Sequence, residues 1–326
     1  MLGAVAPVAH AVTPESEGYG YAAWLLSGQS VTIKLKPGNS ASSGYHWEVA
    51  HKPAKKVLRL QVQHPTNGGK RQVFIYKALR PGGATLKLRY VPPGRHAKAV
   101  KTYRLQVAVN GREPRLDCSA SGRRHSEIAR DATAVVFKVP RTLYAVEFNA
   151  TEKIAYDAFY GCALANDRAY RLGGVVDLRE PHNFTNIRLN GNFTGYRRDE
   201  ECPYDQFHGC TVPATYIESQ DLGTGKTLRR IQVGHAFPVP DFGNAVSEVF
   251  VSPTGGLAWI EESRDDEGRA DNLVLCSDAP PAQAGSVVKE REVLDRGELV
   301  DPSSLRYDGT DVTWVRDGAQ QSAPLR

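Results

Sequence analysis

The residues of this chain whose types could do chemistry are five cysteines, nine histidines and a few acidic clusters. Gly223-Thr224-Gly225-Lys226-Thr227 resembles the end of a phosphate-binding loop, but the first glycine that loop requires would fall at position 220, which is Gln220. The segment therefore reads as a hairpin turn. Glu261, Glu262, Asp265, Asp266, Glu267 and Asp271 offer carboxylates for calcium, yet they lack the alternating spacing of a ligand loop and read as a solvated hairpin tip. No two histidines stand at metal-ligand spacing, and no nucleophile stands with a base in a known motif. The sequence thus assigns no catalytic residue, no metal site and no cofactor, and the expectation is a protein that is not an enzyme.

The cysteines point elsewhere. Cys118, Cys162, Cys202, Cys210 and Cys276 contain no Cys-x-x-Cys, which argues against zinc and thioredoxin-like chemistry. Cys202 and Cys210 flank a turn-rich loop and form the first candidate disulfide, Cys118 with Cys162 the second; Cys276 is left as a buried small hydrophobe. Oxidised cysteines belong in an exported chain. Met1 to Ala11 carries no charge and ends in Ala9-His10-Ala11, the small-x-small pattern of a cleavage site, so residues 1–11 read as a truncated signal peptide. No later stretch has the ~18 apolar residues of a membrane helix. The expected location is secreted or cell envelope. Asn149, Asn183 and Asn192 each open an Asn-x-Thr glycosylation pattern.

The 326 residues suffice for about two domains, with 41% hydrophobic and 24% charged residues, 30 Gly and 20 Pro favouring many turns over long helices. The net charge of +5 divides unevenly. Residues 1–110 hold 16 Lys and Arg against Glu15, Glu17 and Glu48, a balance of +13, and residues 111–326 hold 25 against 33, or −8. The basic residues alternate with apolar ones, as in Lys34-Leu35-Lys36, which places them on outer strand faces. No nucleic-acid motif accompanies them, so no nucleic-acid partner is assigned.

From Ser30 the period is 2. Val31, Ile33 and Leu35 alternate with polar residues, Tyr45–Val49 is extended, and strands follow at 57–62, 71–77, 84–90 and 101–109, each bounded by Pro, Gly or Asn. Short strands at this spacing predict an immunoglobulin-like β-sandwich over residues 20–110. Residues 111–125, rich in Gly, Ser and Arg, read as a linker.

The residues at the strand ends carry a resemblance. Gly38-Asn39-Ser40-Ala41-Ser42-Ser43-Gly44-Tyr45-His46-Trp47 resembles the Asn-Pro-Thr-Thr-Gly-aromatic-x-Trp segment of chagasin-type inhibitors of papain-like cysteine peptidases. Asn67-Gly68-Gly69 occupies the place of that family's Gly-rich loop, Arg80-Pro81-Gly82-Gly83-Ala84 to Tyr90 is similar to its long strand, and Val91-Pro92-Pro93 stands where it has Arg-Pro-Trp. The resemblance spans about residues 28–109. It implies three loops forming a wedge for a peptidase cleft: Asn39, Ser40, Ala41, Ser42, Ser43, Gly44 and Tyr45; Asn67, Gly68 and Gly69; and Val91, Pro92 and Pro93. Ser42 and Ser43 fall at the paired-Thr positions. Ser40-Ala41 replaces the family's loop proline and the aromatic of the third loop is absent, which implies a looser wedge and weaker binding.

Residues 126–326 show a recurring hairpin that closes on an aromatic, Tyr196, Trp259 and Trp314, spaced like blades of an antiparallel β-propeller. The chain is therefore expected to be all-β: a chagasin-like sandwich followed by propeller-like repeats. The function it implies is a secreted inhibitor of papain-like cysteine peptidases. The alternative is a non-catalytic adhesion or scaffold protein that uses both modules for binding.

Overall fold

A computed structural model describes residues 10–12, 21–35, 44–64, 72–94, 98–119, 124–147, 150–173, 183–200, 214–233, 245–262, 269, 271–278 and 291–325. Among them the protein is all-β, with one 3-10 turn at Leu164–Asn166. It divides into two compact units. The first comprises Met1–Pro114 with Thr142–Tyr156 and Asp177–Arg179, and the second comprises Arg115–Arg141, Asp157–Val176 and Glu180–Arg326.

The first unit is a two-layer sandwich. One sheet is ordered β1 (His10–Val12), β3 (Ser30–Leu35), β6 (Gln72–Ala78), β5 (Leu58–His64); the other β2 (Tyr21–Leu26), β8 (Lys101–Asn110), β7 (Gly82–Val91), β4 (His46–His51). Strict alternation builds it. In β6 the residues Gln72, Phe74, Tyr76 and Ala78 turn inward, and in β7 Ala84, Leu86, Leu88 and Tyr90 do so while Lys87 and Arg89 face solvent. Leu25, Ile33, Phe74, Leu86, Leu105 and their neighbours from both sheets fill one core from which water is excluded. Two pairings, β1 with β3 and β2 with β8, are parallel, which requires partners distant in sequence: Tyr21 lies opposite Leu105.

Asn110, at the end of β8, is buried on the polar face of its sheet because residues 142–156 belong to this unit. Its amide donates to the Tyr144 carbonyl at 3.0 Å and accepts from the Tyr144 N–H at 2.6 Å. The pair imitates a backbone ladder and leaves neither group unsatisfied.

The second unit is a series of antiparallel meanders. β9 (Ser126–Arg130), β10 (Ala134–Glu147), β11 (Ala150–Ala163) and β12 (Arg168–Arg171) form its first sheet in chain order, the end of β10 from Thr142 and the start of β11 up to Tyr156 belonging to the first unit. β13 (Asn183–Asn190), β14 (Phe193–Glu200), β15 (Ala214–Asp221) and β16 (Lys226–Val233) form the next. β17 (Ala245–Val251), β18 (Leu257–Glu262), β19 (Asn272–Ser277) and β20 (Glu292–Gly297) form the third, and β21 (Arg306–Tyr307), β22 (Asp311–Arg316) and β23 (Ala319–Pro324) the last. Each sheet buries side chains against its successor. Val136 and Leu172 meet Phe184 and Tyr196; Ile217 and Ile231 meet Val249 and Trp259; Ile260 and Val274 meet Leu305 and Trp314. The three repeat aromatics, Tyr196, Trp259 and Trp314, all lie in the second strand of their sheets and all are core. Gly223 to Gly225 is the turn between β15 and β16, where Asp221 Oδ1 accepts from the Gly223 N–H at 2.7 Å and Gly225 takes a φ of +74°.

Cys118 and Cys162 form a disulfide with Cα atoms 5.4 Å apart, beside the isolated bridge between Leu116 and Ala169. Cys276 is a buried free thiol, pushed up to about 11 first by burial and then by the Glu292 and Asp278 carboxylates. Cys202 and Cys210 lie outside the described residues. No helix among the described residues is long and apolar enough to cross a membrane.

Candidate functional site

The sandwich registers pair, within each sheet, the strand ends that flank the three sequence-identified loops. Leu35, the last residue of β3, lies opposite Gln72, the first of β6, so the chain enters the first loop beside the exit of the second. His46, the first residue of β4, lies opposite Val91, the last of β7, so the first loop returns beside the start of the third. Tyr90 opposite Lys101 closes the third loop on the same edge. Antiparallel pairing fixes the partners within each sheet at about 5 Å, and the two sheets are joined at this end by the Gln72 side chain bonded to the Trp47 backbone.

Gly44, Tyr45, Val91, Pro92 and Pro93 are the candidate residues the structure describes at this rim; Asn39, Ser40, Ala41, Ser42, Ser43, Asn67, Gly68 and Gly69 lie outside the described residues. Gly44 has a φ of +77°, and a Cβ added there would meet the Pro93 Cβ at 3.1 Å. The first and third loops therefore touch at a point where both backbone conformation and space favour glycine. Gly44 and Pro93 are exposed, Tyr45 and Pro92 half-buried, and Val91 is buried.

Beneath the rim, Tyr45 stacks on Tyr90 with centroids 5.4 Å apart, and Tyr90 meets Trp47 at 5.2 Å. This ladder anchors the return of the first loop to β7. Gln72, 3% exposed, donates from Nε2 to the Trp47 carbonyl at 2.7 Å and accepts from the Trp47 N–H at 2.8 Å. Trp47 sits in β4, an edge strand, and the Gln72 amide takes the place of a missing strand neighbour. Sequence reasoning placed Gln72 only as a strand residue beside the second loop. Outside the core, Arg89 is paired with Glu48 across β7 and β4.

A second polar cluster lies in the second unit and carries no sequence motif. Arg198 and Glu218, 2% and 1% exposed, form an ion pair at 3.0 Å, with Arg230 at 3.3 Å from the same carboxylate. Tyr196 donates to Glu218 Oε2 at 2.9 Å and accepts from the Gly173 N–H at 2.8 Å. Burial, and after it the Glu218 charge, holds the Tyr196 phenol well above its ordinary range. Arg198 and Arg230 both lie over the Tyr216 ring, at 5.2 and 4.2 Å. A network of this kind fixes strand positions, with Arg198, Glu218 and Tyr196 buried and Arg230 reaching solvent. Among the described residues, no group of three or more His, Cys, Asp or Glu stands where it could hold a metal ion.

No family model matches the chain, and no curated protein does. Among solved structures the chain is similar to the crystal structure of a cysteine protease inhibitor from Entamoeba histolytica, at 18% sequence identity and a TM-score of 0.26, over 31% of this chain and 94% of that one.

Proposed function

We propose that the first unit is a non-catalytic inhibitor of papain-like cysteine peptidases, secreted or held in the cell envelope, that inserts the Asn39–Tyr45 loop into the peptidase cleft between its two flanking loops. The observation that supports this reading is the convergence of the strand ends on one edge, with Gly44 against Pro93. A wedge needs small polar residues at its tip, since a bulky or charged side chain would clash with the cleft. Ser42 and Ser43 supply that chemistry, and the ladder of Tyr45, Tyr90 and Trp47 supplies the rigid base.

In the same reading the second unit is propeller-like and acts as a scaffold. The four meandering sheets, each packed on its successor, support this, as does the placement of Tyr196, Trp259 and Trp314 on equivalent strands. A plain adhesion or scaffold role for the whole chain is the second reading, favoured by the same repeated sheets.

Titration of the full chain against several papain-like peptidases separates the two. Inhibition that is lost in Ser43→Arg, with circular dichroism unchanged, is the expected result. An absence of inhibition at high micromolar concentration would leave the scaffold reading.

A further inference from the structure

Between Glu48 and Glu113 the sequence holds fifteen Lys and Arg and no acidic residue. Alternating strands could scatter such charge evenly, but the register gathers part of it. Arg59 on β5 lies directly opposite Lys77 on β6. Both are on the outer face of their sheet, since the flanking Leu58, Tyr76 and Ala78 are core. The ladder continues past the strand ends, where the Leu79 N–H donates to the Val57 carbonyl at 2.8 Å. That pairing sets Lys55 and Lys56 on one side and Arg80 on the other, all exposed.

Two like charges placed directly across an antiparallel pair destabilise a sheet. On the other sheet Arg89 faces Glu48 and pairs with it, while Lys87 faces Arg104 on the central strands, away from a sheet edge. No ion pair among the described residues joins Lys55, Lys56, Arg59, Lys77 or Arg80. The group sits on the open edge of its sheet, since β5 is the outermost strand, and at the end of β6 remote from Gln72 and the loop rim.

We infer that this edge is a binding site for an anionic polysaccharide, whose sulfate or carboxylate groups take the place of the missing counter-charges. Beside the basic residues lie hydroxyl and amide groups suited to a sugar chain. Ser30, opposite Lys77 on β3, donates to Gln61 Oε1 at 3.4 Å. The outward residues of β3 and β6, Ser30, Thr32, Lys34, Val73, Ile75 and Lys77, include no aromatic ring on which a nucleic-acid base would stack. Nor does the edge present more than one exposed apolar side chain, Leu60 at 38%, for insertion into a membrane. The site stands apart from the peptidase-binding rim and does not depend on it.

The test measures binding of the full chain to a heparin fragment as a function of salt. Each anionic group neutralised by a basic side chain adds to the slope of log affinity against log salt concentration. The triple variant Lys56→Ser, Arg59→Ser, Lys77→Thr is expected to bind at least about tenfold more weakly, with a slope lower by about 2 to 3. A charge-matched control, Lys87→Thr, Lys98→Ser, Lys153→Ser, is expected to change affinity less than about threefold. Equal losses in the two variants would overturn the site, because net charge alone would then explain the binding. An oligothymidylate or phosphatidylserine vesicles binding as tightly as heparin would overturn the assignment to a polysaccharide. Unchanged circular dichroism in both variants excludes misfolding as the cause of any loss.

Discussion

The Gln72 side chain spans the two layers of the sandwich and closes both backbone groups of Trp47, with bonds of 2.7 and 2.8 Å. One amide thus ties the base of the second loop to the base of the first. The open edge of β4 would otherwise leave an N–H and a C=O facing the core margin without partners.

Replacing Gln72 with Leu keeps the volume and removes both bonds. The expected loss is about 2–4 kcal/mol, from two backbone groups left unsatisfied. Gln72→Glu retains the acceptor for the Trp47 N–H but sets a carboxylate against the Trp47 carbonyl, so it should be less stable at pH 7 than at pH 4 relative to wild type. Urea unfolding at both pH values checks this. A change below about 0.5 kcal/mol for Gln72→Leu would mean that β7 pairing alone holds Trp47 in place.

Tyr76 is 1% exposed, and its hydroxyl has no hydrogen-bond partner among the described residues. Burial pushes the phenol up to about 12. The folded value lies above the unfolded one, so this contribution to stability is complete below pH 10 and is lost as pH rises towards 12. The loss amounts to roughly 2–3 kcal/mol over that interval. Tyr76→Phe should remove this part of the alkaline decline and be neutral or stabilising by about 1 kcal/mol at pH 7. Denaturation of both proteins from pH 8 to pH 11.5 reads the difference, and parallel curves would contradict it.

Arg198 and Glu218 are buried together, so removing the carboxylate takes the nearest counter-charge from Arg198 in a low-dielectric site, whereas removing Arg198 leaves Glu218 with Arg230 at 3.3 Å. Glu218→Gln alone should cost about 3–5 kcal/mol, Arg198→Met less because Arg230 remains beside the carboxylate, and the double variant less than the sum of the two. Additive losses in a double-mutant cycle would show that the pair is not coupled.

The Cys118–Cys162 disulfide closes a segment with a sequence separation of 44. By the chain-entropy estimate such a loop contributes up to about 4 kcal/mol. Reduction, or the double substitution to Ala, should therefore lower the unfolding midpoint of the second unit, which holds both cysteines. Calorimetry with and without reductant measures it, and a midpoint unmoved by reductant would show that packing fixes both residues.

Much of this architecture is written in local order. Alternation in Val31–Leu35, Gln72–Ala78 and Ala84–Tyr90 follows from the two faces of a strand, and the structure keeps those strands within one or two residues of where the pattern puts them. The turn at Gly223–Gly225 and the shared burial of Tyr196, Trp259 and Trp314 are legible for the same reason: turn chemistry and side-chain period are properties of neighbours in the chain.

Tertiary structure decided what neighbours cannot. The parallel pairing of β2 with β8 joins residues more than eighty positions apart, and no local signal specifies it. Gln72, Asn110, Arg198 and Glu218 read in sequence as ordinary polar strand residues. Each became a buried bonding group only because another element covers its face, Trp47 and Tyr144 supplying backbone partners to the first two and the remaining pair supplying each other. Burial depends on what packs above a residue, and a polar side chain placed there must find its partner in space rather than along the chain.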